Sequence, residues 1–381
     1  MKKTFRAAAV TLAALTLLTL QTMFTSCTKK TELTPVNLKK IEVKRDDCTV
    51  YVHPQTEALL AAYRLAEFTY FADHNFDDSD YISGLDKILQ SQKDHDFIKL
   101  IKSLSKNYQG YYYGVFQIAD YISDDFTQIS FTKKNIPEEL QAFWKKTDPK
   151  EFISLFNDFV NKSNFAKLWI IYEPYIKANV LNVADFYDKN AKLLSWSNTY
   201  LFDSDNKPEY FIHVSPIMNY RFTTPPLTKN SDGKSIIKII QSPDFSKEES
   251  GIDVNISISI GASIISNLIA ENYEKISEPI VRTIDKIIKQ NNIELKLTKD
   301  YYINCASWYM GFFPAINYAN TFLTGEYAQM VLEGLKASFV SEDLWVLQDA
   351  FDYYAENRSN YKDFAQFFDS YLVDFINNSN L

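Results

Sequence analysis

The chain has 381 residues, 40 Lys and Arg against 48 Asp and Glu, and a formal net charge of −8. That balance argues against a nucleic-acid partner and against electrostatic attachment to anionic lipid. The length allows a substantial core, in one or two closely packed lobes.

Lys2, Lys3 and Arg6 precede an apolar run over 7–20, followed by Phe24-Thr25-Ser26-Cys27. The run is too short to span a bilayer and polar sequence follows at once, so residues 1–26 read as a secretory signal peptide. A cysteine directly after small residues resembles a bacterial lipobox, which implies cleavage before Cys27 and lipid attachment to its thiol. Each buried methylene of such a lipid contributes roughly 0.8 kcal/mol, so several acyl chains on one cysteine anchor firmly. Thr28, rather than an aspartate, follows it. By resemblance to sorted Gram-negative lipoproteins this implies the outer membrane, facing periplasm or exterior. The leader's three basic side chains leave with it, making the rest more acidic still. No other stretch reads as both long and apolar enough to span a bilayer. Cys48 and Cys305 remain, and whether they pair is open from sequence.

Residues 28–40 are polar and read as a tether. Short strands are expected at 41–43 and 48–52. Helical spacing then predicts helices over 54–71, 80–90, 96–106 and 112–122, and proline starts favour 137–147 and 149–162. A further helix over 165–190 meets Pro174, which should break or kink it. Four short β-branched or aromatic stretches, 196–202, 210–214, 219–223 and 235–240, are separated by turn residues and read as a small antiparallel sheet.

Residues 253–292 then form a long amphipathic segment, kinked or split at Pro279. Ile260, Ile264 and Leu268 make its apolar stripe, while Ser259, Ala262, Ser263, Ser266 and Ala270 make a narrow arc of small residues that a neighbour could approach closely. Helices over 300–321, 327–338, 341–357 and 361–377 complete the chain. The expected fold is α+β, mostly α. It comprises the leader (1–26), tether and short strands (27–53), a helical N-terminal lobe (54–192), a small sheet region (193–250) and a helical C-terminal lobe (251–381).

Three separated stretches, in order, resemble a family of bacterial lipoproteins of unknown function with gluzincin-like metallopeptidase features. They are Tyr63-Arg64-Leu65-Ala66-Glu67 with residues 93–100, then residues 210–218 with their Ser215-Pro216, and lastly residues 353–364. Active members of that family carry HExxH on the helix after the sheet. Its two histidines, one turn apart, hold one Zn²⁺ while the glutamate activates water. Aligning Asn267 with the family's asparagine puts Ser259 and Ser263 at the histidine positions, Ile260 at the glutamate and Met310 near the third ligand. Serine and isoleucine cannot supply that chemistry, and no histidine follows His213. The resemblance therefore implies a zincin-like scaffold without zinc, cofactor or catalysis, keeping a cleft near His213, Ser266 and Asn267.

Other chemistries find little support. His74 lies in an acidic stretch without metal-ligand spacing; His95 reads as a cap or core-edge residue; His213 alternates with Phe211 on a strand and reads as core. Cys305 sits in an apolar context without a nearby histidine and reads as inert. No G-x-S-x-G elbow, Walker A loop or dinucleotide fingerprint occurs. The preferred expectation is an anchored pseudo-peptidase binding peptide, protein or glycan. A hydrolase built on unrelated residues and a ligand-free structural envelope protein are the alternatives. An aromatic cleft favours binding, convergent perturbed carboxylates or a Cys-His pair favour an enzyme, and a filled cleft favours a structural role.

Overall fold

The computed structural model describes residues 33–67, 80–105, 112–130, 147–217, 222–223, 227–230, 232–243, 252–290, 299–337 and 342–379. The predicted leader, Cys27, His74 and nearly all of the helix expected over 137–147 lie outside the described residues.

Strands β1 (Ile41–Lys44) and β2 (Cys48–Val52) form an antiparallel pair. Helix α1 (Pro54–Leu65) follows directly, with Pro54 in the first turn, where a missing N–H costs nothing. Then come α2 (Asp80–Leu89), α3 (Asp96–Ser105), α4 (Tyr112–Ala119), α5 (Pro149–Lys162), α6 (Phe165–Lys189) and α7 (Ala191–Tyr200). Strands β3 (Glu209–Val214), β4 (Phe222–Thr223), β5 (Thr228–Lys229) and β6 (Ser235–Gln241) complete the sheet. Helices α8 (Ile252–Gln290), α9 (Lys299–Phe322), α10 (Gly325–Ala337) and α11 (Leu347–Glu356) follow. Last is α12, which runs from Phe364–Phe367 through a π-helical turn, Phe368–Leu372, into Val373–Asn378. The fold is α+β and mostly helical, as expected.

The sheet is mixed rather than antiparallel. Its order is β1-β2-β3-β6, with β4 and β5 both lying along the outer side of β6. β2 pairs parallel with β3, and β3 with β6. Among the described residues seven α-helices lie between β2 and β3, and such a crossover returns the chain in its original direction. β4 and β5 run back along β6, so β6 resumes the direction of β3. The sheet thus joins strands from the segments 27–53 and 193–250, which the sequence reading kept apart.

Register sorts the side chains onto two faces. Tyr51, Phe211, His213, Lys238 and Ile240 share one, and Val50, Tyr210, Ile212, Ile237 and Ile239 share the other. The first face meets α1 and α4, with the Phe116 ring 5.4 Å from His213. The second meets α6 and α7, where the Tyr187 hydroxyl donates to Gln241 Oε1 at 2.9 Å and that of Tyr210 to Asn198 Oδ1 at 3.1 Å. Helices on both faces are what a parallel sheet requires. Outside it, Phe97 packs on Phe152, Phe156 and Phe159. His95 does cap α3: its Nδ1 accepts the Phe97 N–H at 3.1 Å while Nε2 meets Asp158 at 3.0 Å.

Residues 191–200 are helical, so the strand expected over 196–202 is overturned. Ser195, Thr199 and the aromatics favour extended backbone only weakly, and tertiary packing decides. Leu193, Leu194, Trp196 and Tyr200 are buried on this helix, and the Trp196 N–H donates to Asn317 Oδ1 at 2.9 Å. The helix expected over 54–71 ends at Leu65, with Glu67 in left-handed backbone at φ 55°. That expected over 112–122 ends at Ala119, and Ile122 instead bridges to Ile129.

Neither Pro174 nor Pro279 ends its helix. α8 is long and apolar enough to cross a membrane, contrary to the sequence expectation, but most of it is buried inside the fold as a core helix. Its small-residue arc meets α9 as expected. A Cβ added at Gly311 would lie 2.7 Å from the Ile258 carbonyl oxygen and 2.9 Å from the Ala262 nitrogen. Glycine is what permits that backbone approach.

Candidate functional site

The positions that the sequence resemblance aligns with a zinc site lie on these two helices, α8 and α9. Ser259, Ile260 and Ser263 are all buried, and so is Met310 on α9. The void beside Met310 measures about 10 Å³ and is lined by apolar groups such as Ile280, Ile284 and Leu347. That is barely one water's worth, and water would find few polar partners there. Ser266 is also buried, while Asn267 is half-buried and spends its Nδ2 on the Leu227 carbonyl at 2.7 Å, tying α8 to the β4–β5 connection. His213 has separate partners on the sheet face under α1. None of the three residues grouped as a remnant cleft lines the void beside Met310.

His213 faces a residue that the sequence reading passed over. Glu57, in the first turn of α1, is fully buried, with Oε1 4.0 Å from His213 Nε2. The Ser215 hydroxyl and the Ile217 N–H are the donors turned toward its carboxyl. None of them closes a hydrogen bond of good geometry, because both Glu57 oxygens, His213 Nε2 and Ser215 Oγ have no such partner. Burial pushes the Glu57 carboxyl up to about 8, so it is protonated at neutral pH. Burial, then the positive charges of Lys238 and His53, hold the imidazole of His213 well below its ordinary range. The pair is thus neutral acid beside neutral imidazole, with the Tyr51 ring centroid 4.9 Å from that of the imidazole. Both groups are sealed from solvent, as the core reading of His213 expects. Glu57 was missed because an acid in a first helical turn normally serves the helix dipole at the surface.

An open site lies elsewhere, in a groove between α9 and α11. Its volume is about 170 Å³. On one wall Gln348, Asp352 and Glu356 stand at i, i+4 and i+8 of α11, and on the other are Asn317 and Asn320 of α9. Phe313 and Phe351, stacked at 4.7 Å, and Tyr200 of α7 form the floor. Tyr200 is 6% exposed, its hydroxyl has no hydrogen-bond partner, and its ring stacks on Trp196. Burial, followed by the charges of its neighbours Tyr354 and Asp352, pushes that phenol well above its ordinary pKa, so it is a neutral donor.

Arg358 fixes this floor to α11. Its guanidinium donates to the carbonyls of Thr199 and Tyr200 at 3.0 Å, Phe202 at 2.6 Å and Tyr361 at 2.5 Å. The Tyr354 hydroxyl adds a 2.6 Å bond to the same Tyr200 carbonyl. The i, i+4, i+8 stripe on α11 was legible in the sequence. Its conjunction with Tyr200 was not, because residues 196–202 read as a strand.

Among the described residues no group of three or more His, Cys, Asp or Glu side chains gathers to hold a metal. Cys48 and Cys305 are not joined in a disulfide; Cys48 is buried in the sheet and its thiol is pushed up to about 12 by burial and the nearby Asp188. No protein-family model, curated protein or solved structure matches the chain.

Proposed function

We propose that this is a membrane-anchored lipoprotein, tethered through Cys27, whose folded body binds a ligand rather than hydrolysing one. The scaffold would be a metallopeptidase-like one that has lost its zinc chemistry, and the ligand would sit in the α9–α11 groove instead of the ancestral cleft. The observation that supports this is the contrast between two places on α9. Around Gly311 the helix is closed against Ile258, Gly261 and Ala262, and the neighbouring Ser259, Ile260, Ser263 and Met310 are buried and offer no group able to ligate zinc or act as a base. Roughly two and three turns further on, Asn317 and Asn320 open onto a groove with an aromatic floor and polar walls. Aromatic floors with a few placed polar groups are the usual make-up of a binding pocket. By the same logic, a hydrolase built on the most perturbed carboxylate, Glu57, would need substrate access that its burial denies.

The test combines metal content of the purified protein with turnover of casein and a peptide library, with and without added Zn²⁺. The expected result is neither stoichiometric zinc nor cleavage. Chelator-sensitive cleavage would overturn the reading. Palmitate labelling of cells carrying the wild type, lost in Cys27→Ala, tests the anchor.

A further inference from the structure

The polar atoms that line the groove differ in kind, and that difference limits what can fill it. Tyr200 offers a buried O–H with no partner. Asn317 Oδ1 is occupied by the Trp196 N–H, which orients the amide and leaves its NH₂ as a second donor. Gln348 is oriented in the opposite sense: its Nε2 donates to Asp352 Oδ1 at 2.6 Å, so its Oε1 is an acceptor, and that atom is buried without a partner. Asp352 Oδ2 and Glu356 add further acceptors. None of the described residues lining the groove is basic.

An anion would meet carboxylates without a compensating cation. An ammonium or guanidinium would suit the carboxylates and aromatic rings, but as a pure donor it would leave the Tyr200 and Asn317 donors facing another donor. Unpaired buried donors cost about 1–3 kcal/mol each. A hydroxyl both donates and accepts, so vicinal hydroxyls pair with both kinds of atom. A volume of about 170 Å³ is below the roughly 300–1,000 Å³ of drug-sized sites, which suits one ring rather than an extended chain. The apolar floor of Phe313 and Phe351 suits the C–H face of such a ring.

We infer that the α9–α11 groove binds a single neutral sugar ring, as a free monosaccharide or the exposed unit of a glycan, with its hydroxyls held by Tyr200, Asn317, Gln348 and Asp352. This rests on the binding reading above and narrows it to one ligand chemistry.

The experiment is saturation-transfer NMR and calorimetry on the full-length protein in detergent. The probes are glucose, galactose, mannose and N-acetylglucosamine, with N-acetyl-lysine amide as the cationic competitor. Tyr200→Phe removes one oxygen and keeps the packing, and Asn320→Asp keeps the groove's shape. Expected is saturation of ring protons for at least one sugar, with Kd raised five- to tenfold in Tyr200→Phe. Sugar binding that Tyr200→Phe leaves unchanged would overturn the assignment to this groove. Binding of the lysine amide alone, weakened by Asp352→Asn, would overturn the sugar inference and leave the binding reading standing. If no sugar and no lysine amide binds, the inference fails, and the zinc and turnover assay decides separately whether the chain is an enzyme.

Discussion

Glu57 Oε1 lies 4.0 Å from His213 Nε2, and both residues are buried against the face of the sheet that α1 covers. Neither bears charge in the folded state at neutral pH, so each carries its own pH dependence of stability. The Glu57 carboxyl is raised from about 4.5 to about 8. Between those values the folded chain holds a proton that the unfolded chain has lost, so stability falls as pH rises, by about 1.4 kcal/mol per pH unit. His213 is lowered from its ordinary value of 6.5, so the unfolded chain takes up a proton that the folded chain refuses, and stability falls as pH drops below that value. Below 6.5 the two terms oppose one another, and between 6.5 and about 8 Glu57 acts alone, so the pair's loss of stability with rising pH is clearest there.

Glu57→Gln keeps shape and removes the titration. Its stability relative to wild type should climb by about 1.4 kcal/mol per unit from pH 4.5 to 8, and should be close to zero or slightly negative at pH 4. Urea melts at half-unit pH intervals measure it. A difference that stays flat with pH would show that Glu57 is ionised in the fold or solvated.

The approach of α8 and α9 makes a second prediction. At Gly311 an added methyl would meet the Ile258 carbonyl oxygen at 2.7 Å and the Ala262 nitrogen at 2.9 Å, both backbone atoms that cannot yield alone. Gly311→Ala should therefore destabilise by about 1–3 kcal/mol through overpacking. At Gly334, inside α10, no atom of the described residues comes within 4 Å of an added Cβ. There the same change should stabilise by about 0.5–1 kcal/mol, through helix propensity. Thermal melts that moved in the same direction for both would contradict the packing argument.

Much of this architecture is legible in the residues. Apolar spacing at three and four places most of the helices, and Pro149 after Asp148 marks the start of α5, where the Asp148 side chain accepts the Lys150 N–H. What escapes is long-range. No local pattern reports that β2, at residue 48, pairs with β3, at residue 210, so the parallel sheet is invisible until the helices between are placed. α7 escapes for a related reason, since its serines and threonine have weak preferences of their own and its helicity comes from burying Trp196 and Tyr200. The groove inherits that blind spot: its α11 wall shows in the sequence, whereas its floor depends on α7.

The two described cysteines should differ sharply in reactivity. Cys48 is buried in the sheet with its thiol pushed up to about 12, whereas Cys305, which the sequence reads as an inert buried thiol, is instead half-buried on α9. The thiolate is the reactive form. Iodoacetamide at pH 8 should therefore modify Cys305 and spare Cys48 until the protein is denatured, as peptide mass spectrometry can read. Recovery of a peptide in which Cys48 is linked to Cys305 would contradict the separation of the two thiols in the fold.

The last prediction concerns the residue that holds the groove's floor to its wall. Arg358 spans carbonyls on both sides of the junction, Thr199, Tyr200 and Phe202 on one and Tyr361 on the other. Its planar fork can serve several acceptors at once, whereas a lysine ammonium is a point donor on a flexible stem. Arg358→Lys keeps the charge but leaves part of this set unpaired, at about 1–3 kcal/mol for each carbonyl that water does not reach. The expected loss of stability is roughly 2–3 kcal/mol, and hydrogen exchange should quicken at amides of α7 and α11 more than at those of α1. Because the Tyr200 carbonyl lies at this junction, the groove should loosen with it. Uniform exchange across the chain would instead mean that Arg358 supports the whole fold and has no particular hold on the groove.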